Sequence, residues 1–225
     1  MERPLALEFY NDPRVEYDDF NYLFGDSVLV VAPIKASTVD FPVYLPDGCD
    51  WYDPLHEYLV KGGQHIEVDY PLEGIRYFVK SGSVLPVTDH ADTLFHSFFK
   101  HVIFELYPDA HEFTVVHYYE DDGESDFIDG SYNEWRVSIS SEQNGGEYSV
   151  MLEKIKTASQ VNGPKRRSFN LRLPEGFHFI NTEGRQLGRE VSLHLSSENT
   201  YTEWKFSGSY NSPAEAAFEN EGRNN

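Results

Sequence analysis

Residues 75–87 read Ile-Arg-Tyr-Phe-Val-Lys-Ser-Gly-Ser-Val-Leu-Pro-Val. Two short apolar runs, Ile75 to Val79 and Val84 to Val87, flank the turn residues Ser81-Gly82-Ser83. Each run is too short for a helix and is rich in the branched and aromatic side chains that fit a pleated surface, so both are predicted strands. The same grammar extends in both directions. Upstream lie Ser27 to Ile34, Phe41 to Leu45 running into the turn Pro46-Asp47-Gly48, and His56 to Val60, Gly62-Gly63, His65 to Val68, which reads as a hairpin. Downstream, Phe113 to Tyr119 runs into Asp121-Asp122-Gly123, and Glu134 to Ser140 meets Tyr148 to Glu153 across Asn144-Gly145-Gly146. Ser168 to Leu173, Phe177 to Ile180, Val191 to Leu195 and Tyr201 to Phe206 complete about a dozen strands at sandwich-like spacing. Asp92 to Leu106 has helical spacing through Leu94, Phe98, Val102 and Leu106, but its Phe, Val and Ile content favours strands.

Composition narrows the function classes. The 225 residues suit two β domains or one large one, and 40% hydrophobic with 15% aromatic residues can build cores. The formal charge is −20, from 38 Asp and Glu against 18 Lys and Arg, which repels phosphate backbones and anionic membranes but not a neutral ligand. The cationic cluster Lys165-Arg166-Arg167 follows Asn162-Gly163-Pro164 and reads as a solvated loop. One cysteine, Cys49, excludes an intrachain disulfide and a cysteine-built zinc site. No apolar run reaches the roughly 20 residues of a membrane-spanning helix, and Met1-Glu2-Arg3-Pro4 lacks a signal-peptide layout, so the expected location is cytoplasmic.

Three collinear stretches carry a resemblance. The first is Arg3 to Phe9 (RPLALEF) with Asn11-Asp12-Pro13, continued by Tyr22 to Pro33 (YLFGDSVLVVAP). The second is Val43 to Gly48 (VYLPDG) followed by Trp51-Tyr52-Asp53. The third is Pro71-Leu72 and Tyr77 to Pro86 (YFVKSGSVLP). In this order they resemble the C-terminal region of glycoside hydrolase family 31, the family of α-glucosidases and α-xylosidases. Beyond residue 90 the likeness thins to Tyr119 to Ser125 and Gly130 to Tyr132, similar to the distal β domain of many members. The resemblance implies an all-β fold of two consecutive antiparallel β-sandwich domains, preceded by a remnant of the last strand of a (β/α)8 barrel at about Arg3 to Phe9. The implied division is 1–24 for the barrel end and exit segment, 25–90 for a proximal sandwich, 91–210 for a distal sandwich and 211–225 for a disordered tail.

It also implies that chemistry belongs elsewhere. The family's nucleophile motif, Trp-x-Asp-x-Asn-Glu, does not occur in this sequence, nor does its acid/base motif. No catalytic, substrate-binding or metal-ligating residue is therefore assigned, and no cofactor is expected. Retaining glycosidases need two carboxyl groups about 5–5.5 Å apart. Asp18-Asp19, Asp121-Asp122 and Glu8 with Asp12 are close on paper, but none sits in a motif that forms a pocket floor, and a solvated face is the default for each. Glu120 to Asp126 is oxygen-rich but lacks EF-hand spacing, and Asp122-Gly123 reads as a turn. His111 and His117 would share a face if they lay on one strand, with no third ligand to complete a metal site. Trp51, Tyr52, Trp135 and Trp204 are the candidate sugar platforms, set against the commoner role of aromatics as core.

The expected partner is a catalytic barrel, in the same chain or a separate one, with carbohydrate as a second candidate and neither nucleic acid nor membrane. Leu5, Leu7 and Phe9 alternate, so the first strand would be displaced, paired with another chain or left as an edge that promotes self-association. The competing function is a free-standing carbohydrate-binding β-sandwich.

Overall fold

A computed structural model describes residues 2–16, 18, 20–32, 40–69, 74–88, 101–111, 113–120, 132–142, 146–157, 168–193 and 201–213. Strands dominate. In chain order they are β1 (Glu2–Pro4), β2 (Tyr22–Phe24), β3 (Val28–Val31), β4 (Asp40–Leu45), β5 (Trp51–Asp53), β6 (Tyr58–Val60), β7 (Gln64–Asp69), β8 (Arg76–Lys80) and β9 (Ser83–Val87). They continue as β10 (His101–Tyr107), β11 (Thr114–Glu120), β12 (Asn133–Ser141), β13 (Glu147–Lys156), β14 (Ser168–Arg172), β15 (Phe177–Ile180), β16 (Glu190–Leu193) and β17 (Tyr201–Gly208). One helical turn, α1 (Leu5–Glu8), and a 3-10 turn at Pro13–Val15 interrupt them. Among the described residues no helix is long and apolar enough to cross a membrane.

The chain divides into two compact units, residues 1–81 with 210–225, and residues 82–209. In the first, six strands lie in the order β1-β2-β3-β8-β5-β6, every pairing antiparallel, and β4 pairs antiparallel with β7. Its core gathers Leu5, Leu23, Leu29, Val31, Val43 and Leu45 around Trp51 and Phe78. Trp51 is sealed from solvent, donates from Nε1 to the Pro46 carbonyl at 3.0 Å, and meets Phe9 with ring centroids 5.9 Å apart.

The second unit stacks a four-stranded sheet, β16-β14-β10-β9, on a five-stranded one, β11-β12-β13-β17-β15. Residue alternation sets the core: Trp135, Val137 and Ile139 of β12 and Tyr148, Val150 and Leu152 of β13 turn inward. Trp135 packs on Phe169 across the two sheets at a centroid distance of 4.6 Å, and Phe104 stacks on Phe169 within its own sheet at 5.7 Å. The pairing of β10 with β14 is parallel, while the other pairings of this unit are antiparallel.

Three expectations change. The segment Arg3 to Phe9 is not one strand: β1 ends at Pro4, and Leu5–Glu8 turn helically, burying Leu5 and leaving Leu7 72% exposed. An i, i+2 apolar pattern over so few residues is compatible with a single helical turn, and the fixed φ of Pro4 suits the residue before it. The short β1 pairs antiparallel with β2 on one side and stands at the edge of its sheet, as one of the expected alternatives had it. The run 56–68 is not a hairpin: β6 pairs with β5 and β7 with β4. Likewise β8 and β9 part company across Ser81-Gly82, β8 joining β3 and β5, and β9 joining β10.

The ambiguous stretch Asp92 to Leu106 is strand from His101 onward, and its earlier residues lie outside those described. So do the turn residues Asp121-Asp122-Gly123, the rest of the acidic run to Asp126, Lys165-Arg166-Arg167, Asn144-Gly145, Asp19 and the tail from residue 214.

Candidate functional site

The sequence Asn11-Asp12-Pro13-Arg14 builds the best-formed polar cluster of the first unit. Asp12 caps the 3-10 turn, its Oδ1 accepting from the Arg14 backbone N–H at 3.1 Å, and Pro13 takes the first helical position, where a missing N–H costs nothing. The Arg14 side chain curls back so that Nε donates to the same oxygen at 2.9 Å. Oδ2 accepts from the Tyr44 hydroxyl and from the Asp47 backbone N–H, the latter at 3.1 Å. Arg14 also donates to the Gly63 carbonyl at 2.8 Å and lies over the Tyr44 ring at 4.8 Å. Asp12 thereby fastens β4 and its following turn to one carboxylate, and Arg14 ties the Gly62-Gly63 turn to the same cluster.

A cavity of about 310 Å³ opens beside this cluster, lined among others by Glu8, Phe9, Asp12, Arg14 and Asp47. It brings together Glu8 and Asp12, one of the carboxylate pairs picked out in the sequence. Burial alone would push the Asp12 carboxyl up, but the Tyr44 hydroxyl, the Arg14 guanidinium and two backbone N–H groups hold it far below the usual carboxylate range. Asp12 therefore carries no proton to donate near neutrality, and its four short-range donors occupy the lone pairs a nucleophile would need. The same contact pushes the Tyr44 phenol well up, burial contributing most and Asp12 next. Glu8 is engaged by Arg3 at 3.1 Å. This arrangement can lock a backbone in place.

A second ionic cluster lies in the same unit. Asp53, at the end of β5, is fully buried and receives Nη1 of Arg76 at 2.6 Å, a second bond from Nη2, His56 Nδ1 at 2.9 Å and the Leu55 backbone N–H at 3.0 Å. Desolvation opposes its charge, but Arg76 and His56 outweigh it and hold the carboxyl below its ordinary value. Arg76 in turn rests on the Phe78 ring at 4.5 Å. Trp-Tyr-Asp was visible as a motif, but nothing in the sequence marked Arg76 as its partner.

The remaining candidates separate. Asp18 caps its own turn, accepting from the backbone N–H groups of Phe20 and Asn21 at 3.2 and 2.9 Å. His111 precedes β11 and His117 lies within it; both are exposed, and His117 Nδ1 meets Glu134 Oε1 at 2.7 Å. Among the described residues no group of three His, Cys, Asp or Glu is placed to hold a metal. Of the aromatic platforms, Trp51, Tyr52 and Trp135 are buried at 0, 4 and 6% exposure, so these rings fill cores and present no face to a sugar. Trp204 is half-buried against Phe179, centroids 6.0 Å apart. Exposed rings lie elsewhere, among them Tyr10, Phe24, Phe113, Tyr201 and the pair His117 and Tyr119, whose sequence signal was the alternation of Val115, His117 and Tyr119 along one strand.

Both units are all-β, and the first is pinned to its own N-terminal segment by the Asp12 cluster. Residues 1–85 match the glycosyl hydrolase family 31 C-terminal domain, so this part of the chain is similar to the C-terminal region of that family. It is 31% identical over 121 residues to an α-xylosidase of Saccharolobus solfataricus, covering 54% of this chain and 16% of that protein. It is 28% identical over 178 residues to the lysosomal α-glucosidase of Bos taurus, covering 72% of this chain and 17% of that one. The fold is shared with the Flavobacterium johnsoniae family 31 dextranase FjDex31A, solved with glucose, at a TM-score of 0.71 and 24% identity over 92% of this chain and 29% of that chain. The chain thus spans about a sixth of each of these two relatives.

Proposed function

We propose that this chain serves as the C-terminal β brace of a retaining α-glycosidase, holding a catalytic barrel supplied in the same polypeptide or by a separate one. In this reading it contributes neither the nucleophile nor the acid/base carboxylate, and hydrolysis of the α-glycosidic bond takes place on the barrel.

One observation carries the proposal. The segment before β3 is fixed to the core by Leu5, Val15 and Leu23 and by the Asp12 cluster, yet it turns Leu7, Tyr10 and Phe24 outward at 72, 78 and 59% exposure. A segment so firmly anchored and so apolar on its outer side suits a surface that another domain covers. The cis arrangement draws support from the short share of each relative that the chain matches. Rigid support of this type fixes catalytic loops without touching the bond.

The test is a fusion in which the chain replaces the matching region of the Saccharolobus α-xylosidase. Turnover by the fusion, lost on Leu7→Glu with Phe24→Glu while the isolated double variant still folds, is the expected result. An inactive fusion of two folded parts would overturn the proposal.

A further inference from the structure

In the second unit, the outer face of the five-stranded sheet carries a cluster that none of the foregoing uses. In β11 the residues Thr114 and Glu120 face inward and are buried, so Val115, His117 and Tyr119 face outward. Across the ladder Tyr119 lies opposite Glu134 and His117 opposite Arg136. One strand further, Glu134 lies opposite Lys156 and Arg136 opposite Glu153.

The rings of His117 and Tyr119 run nearly parallel, at 21° with centroids 6.3 Å apart, and Tyr132 stands against Tyr119 at 64° and 5.7 Å. Polar groups hold this row in place. Glu134 takes His117 Nδ1 at 2.7 Å, Arg136 pairs with Glu153, and Lys156 Nζ lies 3.6 Å from the Tyr132 centroid. Tyr119 is 48% exposed.

Cross-strand aromatic and ionic pairs commonly do no more than stabilise a sheet, and single exposed rings are ordinary. Here, among the described residues, three rings adjoin one another within a frame of two carboxylates, one guanidinium and one ammonium whose charges cancel. A balanced frame has no preference for an anion or a cation, and the net charge of −20 repels nucleic acid. A purely apolar partner would strip water from these ions and return no hydrogen bonds. A pyranose supplies both halves: a C–H face for the rings, and hydroxyls that donate to carboxylate and accept from ammonium. We infer that the outer face of β11 and β12 is a binding site for a neutral oligosaccharide, with Tyr119 and His117 stacking, Glu134 holding both rings in place, and Lys156 bonding a hydroxyl. The inference stands apart from the bracing role and holds whether or not a barrel is attached.

Calorimetric titration of the full chain with maltohexaose, isomaltotriose and cellohexaose tests it. At least one sugar should bind at millimolar concentration, and Tyr119→Ala should weaken it about tenfold, while Tyr119→Phe, which keeps the ring, should change it by no more than about twofold. His117→Ala should also weaken binding, and Tyr201→Ala, on the same sheet at β17, should leave it unchanged. Saturation-transfer NMR on the wild type, which needs no variant to fold, should place the bound sugar against tyrosine and histidine ring protons. No binding of any of the three sugars, tighter binding of heparin than of the neutral sugars, or binding untouched by Tyr119→Ala in a folded protein would overturn it. Because the titration uses the chain alone, its failure leaves the bracing proposal intact.

Discussion

Arg76 and Asp53 face one another in the first unit with side chains 2% and 0% exposed, guanidinium to carboxylate through both Nη atoms. They join β8 to the end of β5, next to the antiparallel pairing of those two strands. A pair of this kind stabilises little relative to a well-packed apolar substitute, yet losing one partner strands the other charge without water.

Asp53→Asn should therefore destabilise the first unit by about 3–5 kcal/mol, because Arg76 keeps its charge in a site with no solvent. Urea unfolding of the variant gives the figure directly. A loss below about 1 kcal/mol would mean that water reaches the guanidinium.

Acid should unfold the first unit by the same logic. Asp12 and Asp53 both have folded-state values below their unfolded ones, so each binds fewer protons folded than unfolded. Their contribution is complete above the unfolded value of about 4 and is lost as pH falls through the lower folded value. The urea midpoint should be flat from neutrality to about pH 5 and fall below it. Asp12→Asn should make that fall shallower, and an unchanged slope would show that the carboxylate is not held as described.

Trp51→Ala should cost about 3–5 kcal/mol, since it empties a buried site and orphans the Pro46 carbonyl. Trp204→Ala, at a half-buried position, should cost clearly less. Equal losses would contradict the placement of Trp51 in the core.

Gly62→Ala tests the close approach of two turns. A Cβ there would lie 2.2 Å from the Cys49 carbonyl oxygen and 2.4 Å from that of Pro46, both backbone atoms with little room to yield. A loss of about 1–3 kcal/mol is expected in thermal or urea unfolding. Gly74→Ala, where a Cβ meets nothing within 4 Å although φ is +124°, separates clash from backbone strain.

Strand existence was readable because alternation is local. Glu134 to Ser140 and Tyr148 to Glu153 sit in β12 and β13, which pair antiparallel as read, with Trp135, Val137 and Ile139 turned inward. Pairing partners were less readable, because Gly62-Gly63 is a turn whichever strands flank it. The tighter link at Asp53 to Tyr58 claims β6 for β5 and frees β7 for β4. The segment Arg3 to Phe9 misled because Leu5, Leu7 and Phe9 satisfy a strand pattern while the Leu5 carbonyl accepts the Phe9 N–H at 2.9 Å in a helical turn. Asp12 stood out only within Asn-Asp-Pro and as a possible pair with Glu8; its capping of the 3-10 turn, and Tyr44 and Arg14 as its partners, required the fold. The tryptophans show the same limit: an aromatic residue announces that it will be buried or stacked, not which.

The most direct test of the bracing account is turnover of aryl α-glucosides and aryl α-xylosides by the purified chain alone. The account predicts no release above buffer, from wild type and from Asp12→Asn and Glu8→Gln alike. Steady release that an acid-to-amide change in this chain abolishes would contradict it.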